Sequence, residues 1–199
     1  MRLTSLYIYI LFSLILSIDI SYIDNDENWK QLQNKEIKIY HKIINDQPYC
    51  KASKIFSFNS YEIKSILDDK KNYPKNFKRI MFCDSINKDV VHIGVKLPFP
   101  FNPRDYVVKY KYIEKNNKEY YIYSSIQETT FKNTSSFIRL PNASGIWLME
   151  PINKKQAKLT YMWQGELLGN FPSWILHRVW KAQGNELLTE LEKALNNLN

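Results

Sequence analysis

Residues 159–198 read LTYMWQGELLGNFPSWILHRVWKAQGNELLTELEKALNNL and change from one apolar periodicity to another near residue 170. Leu159, Tyr161 and Trp163 recur at every second position, which is typical of a strand with one buried face. After the Gly/Pro-rich break at 169–172, apolar residues recur at helical spacing on one face, and Ser173 is a suitable N-cap. The members of this face are Leu176, Trp180, Leu187, Leu191, Leu195 and Leu198. The stretch therefore predicts a strand followed by an amphipathic helix of about 25 residues, about 37 Å long.

The chain upstream of this helix consists mainly of short β-type segments separated by turn residues. Strands are predicted at 36–44, 49–58, 79–86, 89–97, 105–114, 119–127, 131–140, 145–151 and 157–167. Short helices are predicted at 29–32, 61–69 and 72–78, the second of them capped by Asn59 or Ser60. The predicted class is α+β, with a curved antiparallel sheet gripping the long C-terminal helix. Because one helix cannot fill the concave side of such a sheet, we expect an internal hydrophobic cavity.

Composition and charge limit the classes of partner. The chain has 199 residues, of which 44% are hydrophobic and 24% charged, which favours one globular domain. The net charge of +8 indicates either an anionic partner, such as a lipid headgroup layer or nucleic acid, or simply a lysine-rich surface. The aromatic residues are interleaved with aliphatic ones as in a sheet core, and no RNP-type motif occurs, so no nucleic-acid partner is expected.

The N-terminus predicts export. Arg2 precedes an apolar run from Leu6 to Leu16, which has the length of a signal-peptide core and is shorter than the roughly 20 residues of a membrane span. We therefore predict a signal peptide over residues 1–21, one folded domain over residues 22–199, and a secreted or lumenal location. The alternative is an uncleaved anchor. In an oxidising compartment Cys50 and Cys83 either pair or remain as two buried thiols, and the sequence leaves both open.

Residues 97–104, LPFPFNPR, form a proline-stiffened loop in front of a predicted strand. Prolines restrict φ and reduce the entropy of the loop, so Phe99 and Phe101 can stay exposed at a small ordering cost. The functional interpretation is a contact with lipid. The structural alternative is that both rings fold under the loop and seal the core.

Three segments resemble one known family when they are taken together and in order. These are KLPFPFNPRDYVV at 96–108, FIRLPNASGIWLMEP at 137–151 and LTYMWQGELLGNFPSWILHRV at 159–179. Together with the final helix they are similar to the START (StAR-related lipid transfer) domains, which have a helix-grip fold. The resemblance extends from about Trp29 to Leu198, nearly all of the chain after the predicted signal peptide.

The resemblance implies a lipid-sized tunnel between the sheet and the last helix. It also implies a gate and membrane contact made by the loop and the start of that helix, for which we expect Phe99, Phe101, Phe171 and Trp174. The family often has its Arg-Asp arginine at the cavity, so Arg104 is expected to bind a lipid headgroup through its planar donor fork. The alternative for Arg104-Asp105 is a salt bridge that pins the loop to a neighbouring strand.

Further ligand contacts are expected from the strands. Arg139 is the second candidate for the headgroup, with an exposed strand position as the alternative. Trp147 and Tyr161 lie on strands whose alternate side chains point inward, so we expect them to line the cavity or the core. Trp163 is two residues after Tyr161, so the alternation places both side chains on the same face of the strand.

The expected function is that of a lipid-binding or lipid-transfer protein that holds one phospholipid or sterol-like ligand and exchanges it at membranes, most simply as a monomer. No cofactor or metal is expected, because His41, His92 and His177 are far apart in the sequence and no HExxH or other recognised catalytic motif occurs. The alternative is an enzyme of the same fold, a cyclase or hydrolase acting on an aromatic or polycyclic substrate. Its acid or base would come from Glu128, Glu150 or His92.

Overall fold

The computed structural model describes residues 19–24, 27–97, 99, 101–126, 136–165, 168 and 172–198. The first half contains α1 (Ser21–Asp24), β1 (Lys30–Asn34), β2 (Lys38–Ile44), β3 (Gln47–Phe56), α2 (Ser60–Asp68), a 3₁₀ turn (Lys70–Asn72), α3 (Tyr73–Asn76), β4 (Ile80–Ser85) and β5 (Val90–Val95). The second half contains β6 (Arg104–Lys115), β7 (Lys118–Ser125), β8 (Ile138–Arg139), β9 (Ser144–Asn153), β10 (Gln156–Gln164) and α4 (Ser173–Asn196).

Within the described residues the strands form one sheet in the order β1-β2-β3-β10-β9-β7-β6-β5-β4, with the two-residue strand β8 pairing with β6. Every pair is antiparallel except β6 with β8. Helix α4 packs against β1 and β3 and against α2 and α3. The predicted α+β helix-grip architecture is therefore confirmed.

Helix α4 buries one face of its 24 residues against the inner face of the sheet, the face defined by Ile39, Ala52, Phe56 and Leu159. The buried residues of α4 are Trp180, Leu188, Leu191, Ala194 and Leu195. Gly184 lets the helix approach closely, because a Cβ atom there would lie 3.0 Å from Ala52 Cβ and 3.1 Å from Ile39 Cδ1. The cost of a glycine inside a helix, about 1 kcal/mol relative to alanine, is offset by this packing.

A second apolar cluster lies on the outer face of the sheet. Its buried residues are Ile23, Tyr120, Ile122, Ile146, Leu148 and Met162. Residues Ile20, Tyr22 and Trp29 pack against this cluster, and Asp24 accepts hydrogen bonds from Lys118 Nζ (2.9 Å) and Tyr120 Oη (3.0 Å). Both faces of the sheet are thus protected, but within the described residues only the inner face has a long helix over it.

Several local predictions differ from the structure. The helix predicted at 29–32 is wrong, because Lys30–Asn34 forms the edge strand β1. Pairing with β2 satisfies the backbone groups of this segment, and local propensity does not include that partner. Asn59 caps α2 in a capping box with Glu62, as predicted. Pro172 rather than Ser173 stands at the N-cap of α4. Of the strand predicted at 131–140, residues 131–135 lie outside the described residues and only Ile138–Arg139 forms a strand in the rest.

The two cysteines are both buried free thiols. Cys50 is on β3 and Cys83 is on β4, the strand at one edge of the sheet. Burial raises the pKa of the Cys83 thiol to about 12. Of the two alternatives given above, a disulfide or two buried thiols, the structure contains the two thiols.

Among the described residues, none of the helices combines the length and apolar character that a membrane span requires.

Candidate functional site

A cavity of about 150 Å³ lies between the inner face of the sheet and the middle of α4. The sheet contributes aromatic side chains from β6, β7 and β10, and α4 contributes Gln183 and Leu187. Leu97, where the proline-rich loop begins, closes the same space. The cavity therefore lies where the loop, the final helix and the ends of the strands meet.

Stacked aromatic rings form one wall of the cavity. Trp147 stacks on Tyr161 at a centroid distance of 4.0 Å, and Tyr161 stacks on Trp163 at 5.0 Å. Tyr161 and Trp163 line the cavity, whereas Trp147 is buried in the core behind Tyr161 and is not part of the lining. The hydroxyls of Tyr123 and Tyr161 are hydrogen-bonded to each other. Burial raises the pKa of both tyrosines, so these hydroxyls stay neutral at physiological pH and the wall is apolar with one polar spot.

Arg104 stands at the end of the proline-rich loop and begins β6. Its side chain lines the cavity, and the residue is only 3% exposed. Nη1 donates to the carbonyl of Asn102 (2.6 Å) and Nη2 donates to the carbonyl of Leu168 (3.1 Å). Desolvation lowers the pKa of the guanidinium, but arginine stays charged over the whole physiological range. Arg104 therefore brings a cation to the cavity and ties the loop before β6 to the segment before α4.

Asp105 does not share the site of Arg104. Successive side chains of a strand point to opposite faces, so Asp105 faces away from the cavity. It is 1% exposed and accepts hydrogen bonds from Arg139 Nε (3.0 Å) and Nη2 (2.7 Å), and it lies 2.7 Å from His92 Nε2. The pinning salt bridge therefore joins Asp105 to Arg139, not to Arg104. The structure places Arg139 in this bidentate pair and outside the cavity lining.

Ion pairs that sequence reasoning missed hold α4 at the cavity, and three of their members, Arg79, Glu186 and Glu190, line the cavity themselves. Arg79, just before β4, donates to both carboxylate oxygens of Glu186, with Nη2 3.0 Å from Oε1. Lys78 Nζ lies 3.4 Å from Glu186 and 3.8 Å from Glu190, and its backbone N–H donates to Glu190 (3.2 Å). The only sequence signal was the i, i+4 spacing of Glu186 and Glu190, which is common on solvated helices. We call Lys78, Arg79, Glu186 and Glu190 the helix latch.

We expect Glu186→Gln to weaken the latch. The hydrogen bond from Arg79 holds the pKa of Glu186 below its ordinary value. The stabilisation is therefore complete above about pH 4.5 and is lost as the pH falls through the lowered pKa. The free energy of unfolding should fall by about 1 kcal/mol at pH 7, and the difference should shrink towards pH 3. Chemical denaturation at both pH values tests this. Glu114→Gln, which removes an exposed charge on β6, is the control, and equal losses for the two variants would contradict the latch.

The predicted gate residues differ in exposure. Phe99 is 97% exposed, and Trp174, in the first turn of α4, is 60% exposed. Phe101 is half-buried. The expectation of an exposed ring is therefore met by Phe99 and only in part by Phe101. Phe171, Pro98 and Pro100 lie outside the described residues. Leu97 contacts the same small groove as Val179 and Ala182 of α4, so the loop begins directly beside the helix.

The candidate acids and bases of the enzyme alternative are not at the cavity. Glu150 pairs with Lys118 (3.2 Å) and Lys158 (3.0 Å), and His92 pairs with Asp105. Neither residue lines the cavity, and Glu128 lies outside the described residues. Within the described part of the chain, no group of three His, Cys, Asp or Glu side chains has the arrangement of a metal site.

Comparison with known proteins agrees with this geometry. A family model described as START domain matches residues 23–199. The chain belongs to the START domain family. START domains are generally lipid-binding or lipid-transfer modules, which accords with a cavity between the sheet and α4. No curated protein matches the sequence.

Solved structures of START domains share the fold at low sequence identity. Human STARD10 superposes with a TM-score of 0.77 at 12% identity, over 88% of this chain and 76% of that one. Human StAR-related lipid transfer protein 5 gives 0.76 at 13%, over 89% and 91%. The STAR-related lipid transfer protein from Xanthomonas axonopodis gives 0.73 at 15%, over 84% and 98%. At these identities the likeness establishes the helix-grip fold and not a ligand.

Proposed function

We propose that this START domain is a lipid carrier that holds one hydrophobic ligand, a phospholipid or a sterol-like lipid, between the sheet and α4 and exchanges it at membranes. The observation that carries the proposal is the cavity itself. Its wall is made of Tyr106, Tyr123, Tyr161 and Trp163, and a cationic side chain, Arg104, stands at the end nearest to the loop. An apolar wall next to a buried cation is the environment that an amphipathic lipid requires.

The size of the cavity requires α4 to move when a lipid enters. About 150 Å³ is smaller than the roughly 300–1,000 Å³ of typical ligand pockets. Protein interiors are closely packed, so in this proposal the additional space comes from displacing an element of the fold. Helix α4 is held along one side by the helix latch, and Arg104 contacts Leu168 in the segment that precedes the helix. The conformation described is therefore the closed one in this proposal.

Membrane contact is assigned to the exposed aromatic residues beside this opening. Phe99 and Trp174 carry the contact, with Phe101 and Phe171 as further members of the gate. Each large apolar side chain that enters the interface contributes about 1.5–3 kcal/mol, and the net charge of +8 attracts the chain to anionic surfaces. Arg104 binds the headgroup. The proposal includes export directed by residues 1–21 and a monomeric carrier.

Native mass spectrometry of residues 22–199, purified from a lipid-rich host, tests the proposal. We expect one lipid per chain, identified after extraction. Leu187→Trp should abolish co-purification because the larger ring fills the cavity. Leu198→Trp, at the exposed C-terminal end just after the same helix, is the control and should leave lipid bound. A wild-type protein that is empty, and that takes up nothing from a broad panel of phospholipids and sterols, would reject the carrier function.

A further inference from the structure

Two histidines meet where the first half of α4 packs on the sheet. His41 is on β2 and His177 is on the second turn of α4, and their ring centroids are 4.7 Å apart. Trp180 lies 5.6 Å from each ring, and its Nε1 donates to the carbonyl of Gly165 (3.0 Å). Gly165 also lines the cavity. The histidine pair is therefore part of the contact that keeps this half of the helix on the sheet.

The pair is arranged for neutral imidazoles. His41 Nδ1 is buried and has no hydrogen-bond partner among the described residues. No carboxylate pairs with either histidine in the part of the chain that the structure describes. Two protonated rings at this distance would repel each other, and neither would have an anion to compensate for its desolvation. Close contact is thus favourable only while at least one ring is uncharged.

The groups around the histidine pair also favour uncharged rings. On β1, Lys30 is the strand partner of His41, and on β3 the partner is Cys50, a buried thiol whose pKa is raised by burial. On α4, Arg178 follows His177 and contributes to the groove beside Arg79, and Lys181 lies one turn further along the helix. Burial, followed by His177 and Lys30, lowers the pKa of His41. The charged groups named here, Lys30, Arg178 and Lys181, are all cations.

We propose that His41 and His177 form a pH-sensitive contact, so that acidification below neutrality detaches the first half of α4 from β2 and opens the cavity. The direction follows from linkage. A histidine that binds protons less readily in the closed state than in the open state makes the closed state most stable above the ordinary histidine value of about 6.5. Its stability falls as the pH drops below that value. The helix latch acts on the second half of α4, and Glu186 stays ionised in this range, so that half remains docked.

The consequence for the cavity rests on the proposed function, since opening matters for exchange only if the cavity holds a lipid. Trp180 and Gly165 connect the histidine contact to the cavity wall. Detachment would therefore widen the space at the end nearest to Arg104. In a lipid carrier this makes uptake and release faster in an acidic environment and slower at neutral pH.

Hydrogen–deuterium exchange of the lipid-free chain tests the proposal without any lipid. Rates at pH 5.5 and 7.5 are divided by the intrinsic rate at each pH to give protection factors. We expect protection of residues 174–184 to be about tenfold lower at pH 5.5, because that pH is about one unit below the ordinary histidine pKa and each pH unit changes a protonation equilibrium tenfold. Residues 186–196 should change little. Both His41→Gln and His177→Gln should remove most of the pH dependence. Both side chains are half-buried, so the two substitutions check each other.

Equal protection of residues 174–184 at the two pH values would overturn the inference, as would an unchanged pH dependence in His177→Gln. A separate transfer assay between vesicles distinguishes this inference from the carrier function. A chain that opens at acidic pH but transfers no lipid would leave the switch in place and reject the function. A chain that transfers lipid equally well at both pH values, with no change in protection, would reject the pH-sensitive contact and support the carrier function.

Discussion

Phe99→Ser should slow lipid transfer between vesicles by at least about tenfold. Phe99 is 97% exposed in the loop beside α4, and so it does not contribute to packing of the described core. Its contribution to partitioning into a membrane interface, about 1.5–3 kcal/mol, corresponds to a factor of roughly 10–150. Because the carrier must dock before the cavity can exchange lipid, weaker docking lowers the transfer rate directly. A fluorescent-lipid transfer assay measures the effect.

Trp174→Ser should act in the same direction. Trp174 is 60% exposed in the first turn of α4, and its loss together with that of Phe99 should reduce transfer further than either change alone. Thermal unfolding should be nearly unchanged for Phe99→Ser, which separates a docking defect from a folding defect.

Tyr61→Ser is the matched control for these variants. Tyr61 is 81% exposed but lies beside Tyr112 and Glu119, at the opposite end of β6 from Arg104. The loss of an exposed aromatic ring there should leave transfer unchanged. If Tyr61→Ser slows transfer and Phe99→Ser does not, the membrane contact lies at the other end of the sheet.

The second large effect is expected in stability, from Asp105→Asn. Burial alone raises the pKa of this carboxyl group, but hydrogen bonds from Arg139 and His92 outweigh burial and lower the pKa. The amide cannot compensate the charge of Arg139, and breaking a buried ion pair in this way typically costs about 3–5 kcal/mol. For a chain of this size that corresponds to a fall in Tm of roughly 6–20 °C. Differential scanning calorimetry at pH 7 measures it.

The loss of stability in Asp105→Asn should depend on pH, because the carboxylate of Asp105 titrates. The lowered pKa means that its stabilisation is present above about pH 3.9 and is lost as the pH falls through the folded-state value. The wild type and Asp105→Asn should therefore converge in strongly acidic solution. Asp84→Asn removes an exposed carboxylate on the edge strand β4, which is separated from β6 by β5, and should cost less than about 0.5 kcal/mol. An Asp105→Asn variant as stable as the wild type would show that β8 is held to β6 by its backbone hydrogen bonds alone.

Local sequence patterns were sufficient for most of the fold. The alternation in β10, the apolar face of α4 and the cap at Asn59 each depend on residues within a few positions of one another. Such patterns are readable because the side-chain period of a strand or helix is set by backbone geometry. The short helix predicted at 29–32 failed because an edge strand gains its hydrogen bonds from a partner that local propensity does not include.

The candidate site could be predicted only in part from the sequence. The alternation rule was enough to place Tyr161 and Trp163 on one face, and it also separates Arg104 from Asp105. The partners of these residues were not encoded locally. Arg104 reaches Leu168, Asp105 pairs with Arg139, and Arg79 pairs with Glu186, in each case across at least 34 positions of the chain.

By itself, then, the sequence determined most of the segments that become strands and helices, which of their faces are apolar, and to which family the chain belongs. Only the tertiary structure decided which charged groups meet, that Arg139 forms an ion pair with Asp105 instead of lining the cavity, and that His41 contacts His177. The physical reason is that periodicity is a property of consecutive residues, whereas the choice of an ionic or aromatic partner depends on strand register and on where α4 crosses the sheet.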